Sequence, residues 1–339
     1  MVGVPNPSII VTGGAGFLGA HLVRAWLAEE RGPLRNLDLL TYAGSLARLA
    51  GVEGDPRYAF QQGNVADPAA VQEALTSAAP ELVVHFAAES HVTRSEKDPE
   101  RFHRTNVEGT RVMLEHAAAA GVRRFVHIST DEVYGPILEG AFREEDKEPA
   151  EGAATSPYAR SKALADDLAR AFEGDMEVVL VRPTNAFGSW QFPEKAFPRW
   201  TVRGLHGKDL LIWGDGLYVR QWLLAEDLAK AVLLILDAEQ PERVYNVGPR
   251  HEPEITNLDL ARWLADYLGL PPERIVHTAY DRPDHDRRYA VDPSRIEALG
   301  WKPGDPWDRF AETVEWYRAN RAWWEPLLSE AESIYEDER

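Results

Sequence analysis

The sequence predicts an α/β protein with a doubly wound parallel sheet, followed by a smaller unit of mixed structure. Short apolar runs rich in β-branched residues alternate with helical stretches through the first half, which is the pattern of a parallel sheet covered on both faces. The rhythm breaks after about Asn185, where proline and tryptophan become frequent and loops lengthen. A length of 339 residues matches two domains of roughly 150 residues each.

The elements read in order as follows. Ser8 to Thr12 is a short apolar strand ending in glycines, and a helix follows from Gly16 with Leu18, Leu22, Val23, Trp26 and Leu27 on one face. Leu37 to Thr41 and Tyr58 to Gln62 are further strand candidates. A helix over Ala69 to Ala78 leads into a strand over Glu81 to Ala87. One long helix, from about Glu100 to Ala120, stops at Gly121. Arg124 to Thr130 is the next strand. A polar loop over Gly135 to Thr155 precedes a helix opening at Ser156–Pro157, and Glu177 to Arg182 is a strand. Beyond these, helices are expected near Leu228 to Asp237, Asn257 to Leu268 and Trp307. The acidic end, Glu330 to Arg339, reads as a solvated helix end or frayed tail.

Composition narrows the function. The chain is 44% hydrophobic and 27% charged, with a net charge of -18. A nucleic-acid or lipid-headgroup partner needs clustered positive charge, so neither is expected. There is no cysteine, which excludes disulfides, Cys-ligated zinc and thiol catalysis; no metal is expected. Apolar runs such as Ala231 to Leu236 are too short to span a bilayer, and the N-terminus lacks a signal pattern. The expected location is the cytoplasm. Seven of the 37 basic residues are lysine, so the position of each lysine carries information.

After the first strand stands Gly13-Gly14-Ala15-Gly16-Phe17-Leu18-Gly19. Glycines here permit a tight turn and close backbone approach to a pyrophosphate, which the helix N-terminus then faces. The preceding strand and following helix give this glycine pattern its required context. Asp38 closes the second strand, where a carboxylate accepts both ribose hydroxyls and repels a 2′-phosphate. The predicted cofactor is therefore NAD rather than NADP. Asn64 and Val65, after the third strand, are candidates for its adenine end.

Tyr158 and Lys162 lie on one face of a predicted helix. An ammonium beside a phenol favours the phenolate, which would make Tyr158 a base for an alcohol proton while Lys162 holds the nicotinamide ribose. Ser129-Thr130-Asp131-Glu132 ends a parallel strand, the edge at which open α/β sheets bind ligands. Thr130 can bond the reacting hydroxyl. Two adjacent carboxylates serve an elimination, which needs an acid and a base. The same pair also reads as a helix N-cap, Asp131, with Glu132 beside it.

Together, TGGAGFLG, DLLTYAG, HFAAESHV, STDEVYG, SPYARSK, QFPEK, GDGLYVRQW, YNVG, DRPDHDRRYAVD and LGWKP resemble the dTDP-glucose 4,6-dehydratases of the extended short-chain dehydrogenase/reductase superfamily. The likeness runs from about Ser8 to Leu327. It implies a Rossmann-type NAD domain over residues 1–187, joined by a return segment near 219–248. Residues 188–339 then mainly bind the sugar nucleotide, dTDP-glucose. The chemistry implied is oxidation at C4, loss of water across C5–C6 and reduction at C6, with no net use of NAD. On this resemblance Tyr158, assisted by Thr130 and Lys162, is the base at O4. Glu132 takes the C5 proton and Asp131 protonates the C6 hydroxyl. Glu194, Lys195 and Tyr289 support the sugar; Asn185, Arg220, Arg282 and His285 meet the diphosphate; Trp213 packs on the base. The helices near 100–120 and 156–172 imply a homodimer.

Several residues depart from the family pattern: Asn64, Thr93, Ala186, Ser189, Trp190, Tyr218, Gln221 and Asp284. None of them replaces an implied catalytic group. A sugar-nucleotide 4-epimerase needs no acid pair after Thr130, and a decarboxylase would place its substrate carboxylate against that pair. A non-catalytic NAD sensor has no use for Thr130, Tyr158 and Lys162.

Overall fold

The computed structural model describes residues 7–146, 156–279 and 286–335. These residues form eleven strands: β1 (Ile9–Thr12), β2 (Leu34–Asp38), β3 (Tyr58–Gln62), β4 (Leu82–His85), β5 (Arg124–Ile128), β6 (Glu177–Pro183), β7 (Ala186–Phe187), β8 (Leu210–Trp213), β9 (Leu223–Leu224), β10 (Val244–Val247) and β11 (Ile275–Thr278). Seven of them make one parallel sheet in the order β10-β6-β5-β4-β1-β2-β3. Strand order reverses between β1 and β4, so a crevice opens there at their carboxyl ends.

Residue alternation explains why the sheet is covered twice. Ile9, Val11, Leu82, Val84, Val126 and Ile128 join one core with Leu22, Val23 and Trp26 of helix Phe17–Ala28 and Val232 and Ile235 of helix Ala225–Asp237. Ile10, Val83 and Phe125 point the other way. They meet Val71 and Leu75 of helix Pro68–Ala78, Val112 and Met113 of helix Gly109–Ala119, and Ala169 of helix Pro157–Ala171. A third core gathers Phe187, Phe197, Trp222, Leu260, Leu264 and Phe310 around β8. Among the described residues, no helix is long and apolar enough to cross a membrane.

The structure differs from expectation in three places. The second strand runs over Leu34–Asp38, earlier than predicted. The Asp38 carboxylate accepts from Leu40 N, and Leu40 takes φ 57°, so the chain turns where an apolar run suggested continuation. The long helix is interrupted by a wide π turn over His103–Glu108. That turn carries Asn106, which accepts from Glu89 N at 2.8 Å and donates to Glu89 O at 3.0 Å. The start of the acidic end is docked rather than frayed: helix Leu328–Ser333 is followed by buried Ile334 and Tyr335.

Candidate active site

The glycine loop forms the floor of the crevice. Gly13 has φ 69°, a left-handed value that glycine adopts without strain. A Cβ on Gly19 would lie 2.3 Å from Gly13 O, and one on Gly14 would lie 2.4 Å from the Asn36 Oδ1. The loop is thus packed as tightly as bare backbone allows. Arg48, 1% exposed, holds it from behind by donating to Ala15 O, Ala43 O and Trp190 O.

Gly13, Gly16, Phe17, Leu18, Gly19, Asp38, Asn64, Val65, Tyr158 and Lys162 all line this one crevice. The Asp38 carboxylate accepts from Ala15 N and Leu40 N, and burial raises its pKa. Asn64 Oδ1 accepts from Ala66 N, so the amide end of its side chain is the part left to meet a ligand. An acidic acceptor at one end, bare backbone at the turn and a lysine at the other end fit a dinucleotide without a 2′-phosphate.

A second cavity shares the walls Phe17, Leu18, Ser90, Ser129, Tyr158, Gln191 and Lys195 with the crevice, so the two are continuous. Thr130, Asp131, Glu132 and Tyr158 line it together. Thr130, not Asp131, is the N-cap of the short turn Asp131–Tyr134: its hydroxyl accepts from Glu132 N. That correction leaves both carboxylates available to the cavity. Asp131 is 2% exposed. Burial, then the Glu132 charge, raises its pKa to about 7, with Arg220 opposing. Its Oδ2 has no hydrogen-bond partner among the described residues.

Helix Pro157–Ala171 starts where Ser156 Oγ accepts from Ala159 N and Pro157 takes the first helical position. Its first turns place Tyr158 and Lys162 on the wall of the crevice, and Tyr158 also faces the cavity. Lys162 Nζ donates to Ile128 O at 2.7 Å, and burial lowers its pKa to about 8. The expectation that Lys162 lowers the pKa of Tyr158 does not hold in this structure. The phenol is raised well above its usual value, by burial first and then by the Glu132 charge, with a Thr130 hydrogen bond opposing.

Further residues surround the cavity. Lys195 Nζ donates to Ser90 O. Glu194 accepts from Tyr42 Oη at 3.0 Å and Arg94 Nε at 3.2 Å, and burial raises its pKa. Arg220 is buried beneath Tyr289, 4.7 Å from its ring centroid, and donates to Asp286 O. Asn185 and Trp213 also line the cavity. Arg282 and His285 lie outside the described residues. Sequence reasoning missed Tyr42, Arg94, Arg48 and Tyr335. Each acts on a partner distant in the chain, so no local spacing marks it. Among the departures, Thr93 and Ala186 line the cavity, and Gln221 exchanges two hydrogen bonds with the Val291 backbone.

Comparison with known proteins agrees with this geometry. The model of the NAD dependent epimerase/dehydratase family matches residues 9–248. A dTDP-glucose 4,6-dehydratase of Streptomyces niveus is 42% identical, over 96% of this chain and 97% of its own. DesIV, the dTDP-glucose 4,6-dehydratase of Streptomyces venezuelae solved with NAD bound, superposes with a TM-score of 0.88 at 41% identity, covering 94% of this chain and 99% of its own. A Thermus thermophilus UDP-glucose 4-epimerase in complex with NAD reaches 0.83 at 28% identity, covering 92% and 99% of the two chains. The chain belongs to the NAD dependent epimerase/dehydratase family and, within it, to the dTDP-glucose 4,6-dehydratases.

Proposed function

We propose that this protein converts dTDP-glucose to dTDP-4-keto-6-deoxyglucose as an NAD-dependent hydro-lyase. The observation that carries the reading is the adjacent pair of buried Asp131 and half-buried Glu132 on the same cavity walls as Tyr158. Burial, and then repulsion from Glu132, keep Asp131 partly protonated near neutrality, so Asp131 is suited to act as the acid and its neighbour as the base.

Asp38, the glycine loop and Lys162 would hold NAD. Bound there, NAD would supply the hydride acceptor for oxidation at C4 and the hydride donor for reduction at C6. Tyr158 removes the O4 proton, with Thr130 orienting the hydroxyl. Its raised pKa means that positive charge must gather near the phenol before it ionises. Lys162 is not among the charges acting on the phenol in this structure, and its part in the proposal is to hold the nicotinamide ribose. Glu132 takes the C5 proton, which the new 4-keto group acidifies. Asp131 gives its proton to the C6 hydroxyl, which departs as water. Glu132 then returns a proton to C5 as C6 is reduced. One water is lost and the cofactor ends as it began. Glu194, Lys195 and Tyr289 hold the sugar, Asn185 and Arg220 meet the diphosphate, and Trp213 packs on the base.

The division into an NAD unit over 1–187 with a return near 219–248, and a sugar-nucleotide unit over 188–339, is part of this proposal. Cytoplasmic location is the setting it assumes. A homodimer is proposed through helices Gly109–Ala119 and Pro157–Ala171. Leu164 and Leu168, one turn apart on the latter, are each 36% exposed, as a partner's apolar face requires. Sedimentation tests this: Leu164→Glu with Leu168→Glu should yield monomers, and an unshifted wild-type monomer rejects the dimer.

Mass spectrometry after incubation with dTDP-glucose and no added reductant should find loss of one water. Clean conversion to an isomer of unchanged mass overturns the dehydratase reading in favour of an epimerase. A parallel incubation with UDP-glucose tests base preference.

A further inference from the structure

Tyr42 stands in the loop after β2, between residues that line the cofactor crevice: Thr41 on one side, Ala43 and Gly44 on the other. Its side chain reaches the segment that the proposed reaction uses to hold the sugar. Tyr42 Oη donates to Glu194 Oε1 at 3.0 Å, and its ring meets Phe192 edge-on, with centroids 5.5 Å apart and planes at 88°. The Arg94 guanidinium lies 3.8 Å from the Tyr42 ring centroid. Arg94 Nε donates to the other Glu194 oxygen at 3.2 Å. Glu194 itself is 3% exposed.

The loop is built onto the two parts of the crevice assigned to NAD. Ser45 N donates to Ala15 O of the glycine loop, and Gly44 N donates to Thr41 O. A Cβ on Gly44 would lie 3.0 Å from Asp38 Oδ1, so the loop is folded against the ribose-binding carboxylate. Arg48 makes a second tie of the same kind. It donates to Ala15 O and Ala43 O on the cofactor side and to Trp190 O, four residues before Glu194, on the sugar side. A buried carboxylate that loses a donor is destabilised. Loosening the loop withdraws the Tyr42 hydroxyl from Glu194, and the segment around it must shift to restore the bond. We propose that Tyr42 is a positioning residue that couples the two sites. With the crevice filled the loop is fixed, the loop fixes Glu194, and a bound sugar nucleotide in turn slows the departure of NAD. Such coupling is reciprocal by linkage. The inference rests on the reading of the crevice as the NAD site and of Glu194–Lys195 as the sugar-holding segment. Its consequence suits a reaction whose cofactor must stay in place until C6 is reduced.

Release of NAD from the holoenzyme tests it, followed as exchange of the bound cofactor for labelled NAD. The exchange is run with and without a dTDP-glucose analogue that carries fluorine in place of the C4 hydroxyl. That analogue has no O4 proton to lose and cannot be oxidised, so it binds without turnover. Calorimetric titration sets the saturating concentration for each protein. Saturation should slow release about tenfold in wild type. Tyr42→Phe keeps the ring against Arg94 and Phe192 and removes only the hydroxyl from Glu194. There the slowing should shrink to less than about threefold. A general weakening of the fold speeds release equally with and without the analogue, so the ratio of the two rates reads the coupling alone. A ratio in Tyr42→Phe equal to that of wild type overturns the inference, because the sugar then merely covers the cofactor's exit. A wild-type rate that the saturating analogue leaves unchanged overturns it too. A wild-type protein that shows the tenfold ratio but loses no water from dTDP-glucose strikes the proposed reaction and leaves the coupling standing.

Discussion

At the scale of residues, the site works by placing like charges where burial forces them apart. Asp131 and Glu132 are adjacent in sequence, and only one can ionise cheaply in a closed cavity. Asp131 is the one held up, to about 7. A carboxyl whose folded pKa exceeds its unfolded value of 3.8 favours the folded state at low pH. That contribution is lost as pH rises from the unfolded value through the folded one. Asp131→Asn should therefore unfold at a higher temperature than wild type at pH about 8, while water loss falls by about 100-fold or more. Differential scanning calorimetry paired with mass spectrometry checks both, and an unchanged elimination rate removes Asp131 from the mechanism. Glu132→Gln deletes the second-largest cause of the shift. In a single turnover it should accumulate reduced cofactor while water loss slows, visible as near-ultraviolet absorbance; unimpaired water loss in that variant removes Glu132.

At the scale of elements, what matters is which turns bring these side chains together. The glycine loop after β1 was legible because its constraint is local: strand, bare backbone and helix follow one another within a few residues. The steric margin is narrow enough to predict a consequence. Gly19→Ala places a methyl 2.3 Å from Gly13 O, a carbonyl of the backbone loop that Arg48 holds through Ala15 O and that pairs with β2 through Gly13 N and Leu37 O. Purified Gly19→Ala should retain less than about a tenth of the bound NAD of wild type, measured by release and absorbance, because the pyrophosphate turn must open. Wild-type cofactor content in a folded variant would show that the loop yields. The π turn at His103–Glu108 was not legible. Nothing in the helical spacing there breaks the period, and the cause lies elsewhere, in the Glu89 backbone that Asn106 grips. Ser161 adds to the same knot, accepting from Asn106 Nδ2 at 2.8 Å, so the helix that carries Tyr158 is tied to the loop after β4.

At the scale of the whole molecule, the scarcity of lysine acquires a structural meaning that composition could not supply. Arg48, Arg124 and Arg182 are each fully buried. Arg124 donates to the carbonyls of Ile235, Leu236 and Ala238, closing helix Ala225–Asp237 onto the sheet, and Arg182 grips Asp166 with both ends of its fork. A planar five-donor group can satisfy several buried acceptors at once, and an ammonium cannot. The two central strands show the opposite device, buried bases kept neutral. His85 of β4 and His127 of β5 are register partners with ring centroids 5.6 Å apart. His85 is bonded through Thr12 and Thr110, whereas neither ring nitrogen of His127 has a hydrogen-bond partner among the described residues. Burial and the Lys162 charge lower both, His85 to about 3. The unfolded chain titrates near 6.5, so it binds protons that the folded state refuses, and stability present above that value is lost as pH falls below it. The raised pKa of Asp131 acts in the opposite direction between 3.8 and about 7, and that of Glu194 has the same sign as Asp131, which makes a single-site comparison necessary. His127→Leu removes a proton acceptor without stranding a partner. It should match wild-type stability within about 1 kcal/mol near pH 7.5 and exceed it increasingly as pH falls from about 6 to 4.5. Urea unfolding at fixed pH steps measures the difference. Parallel curves for the two proteins across that range would mean that His127 takes up its proton in the folded sheet after all, and that the sheet centre tolerates a second charge beside Lys162.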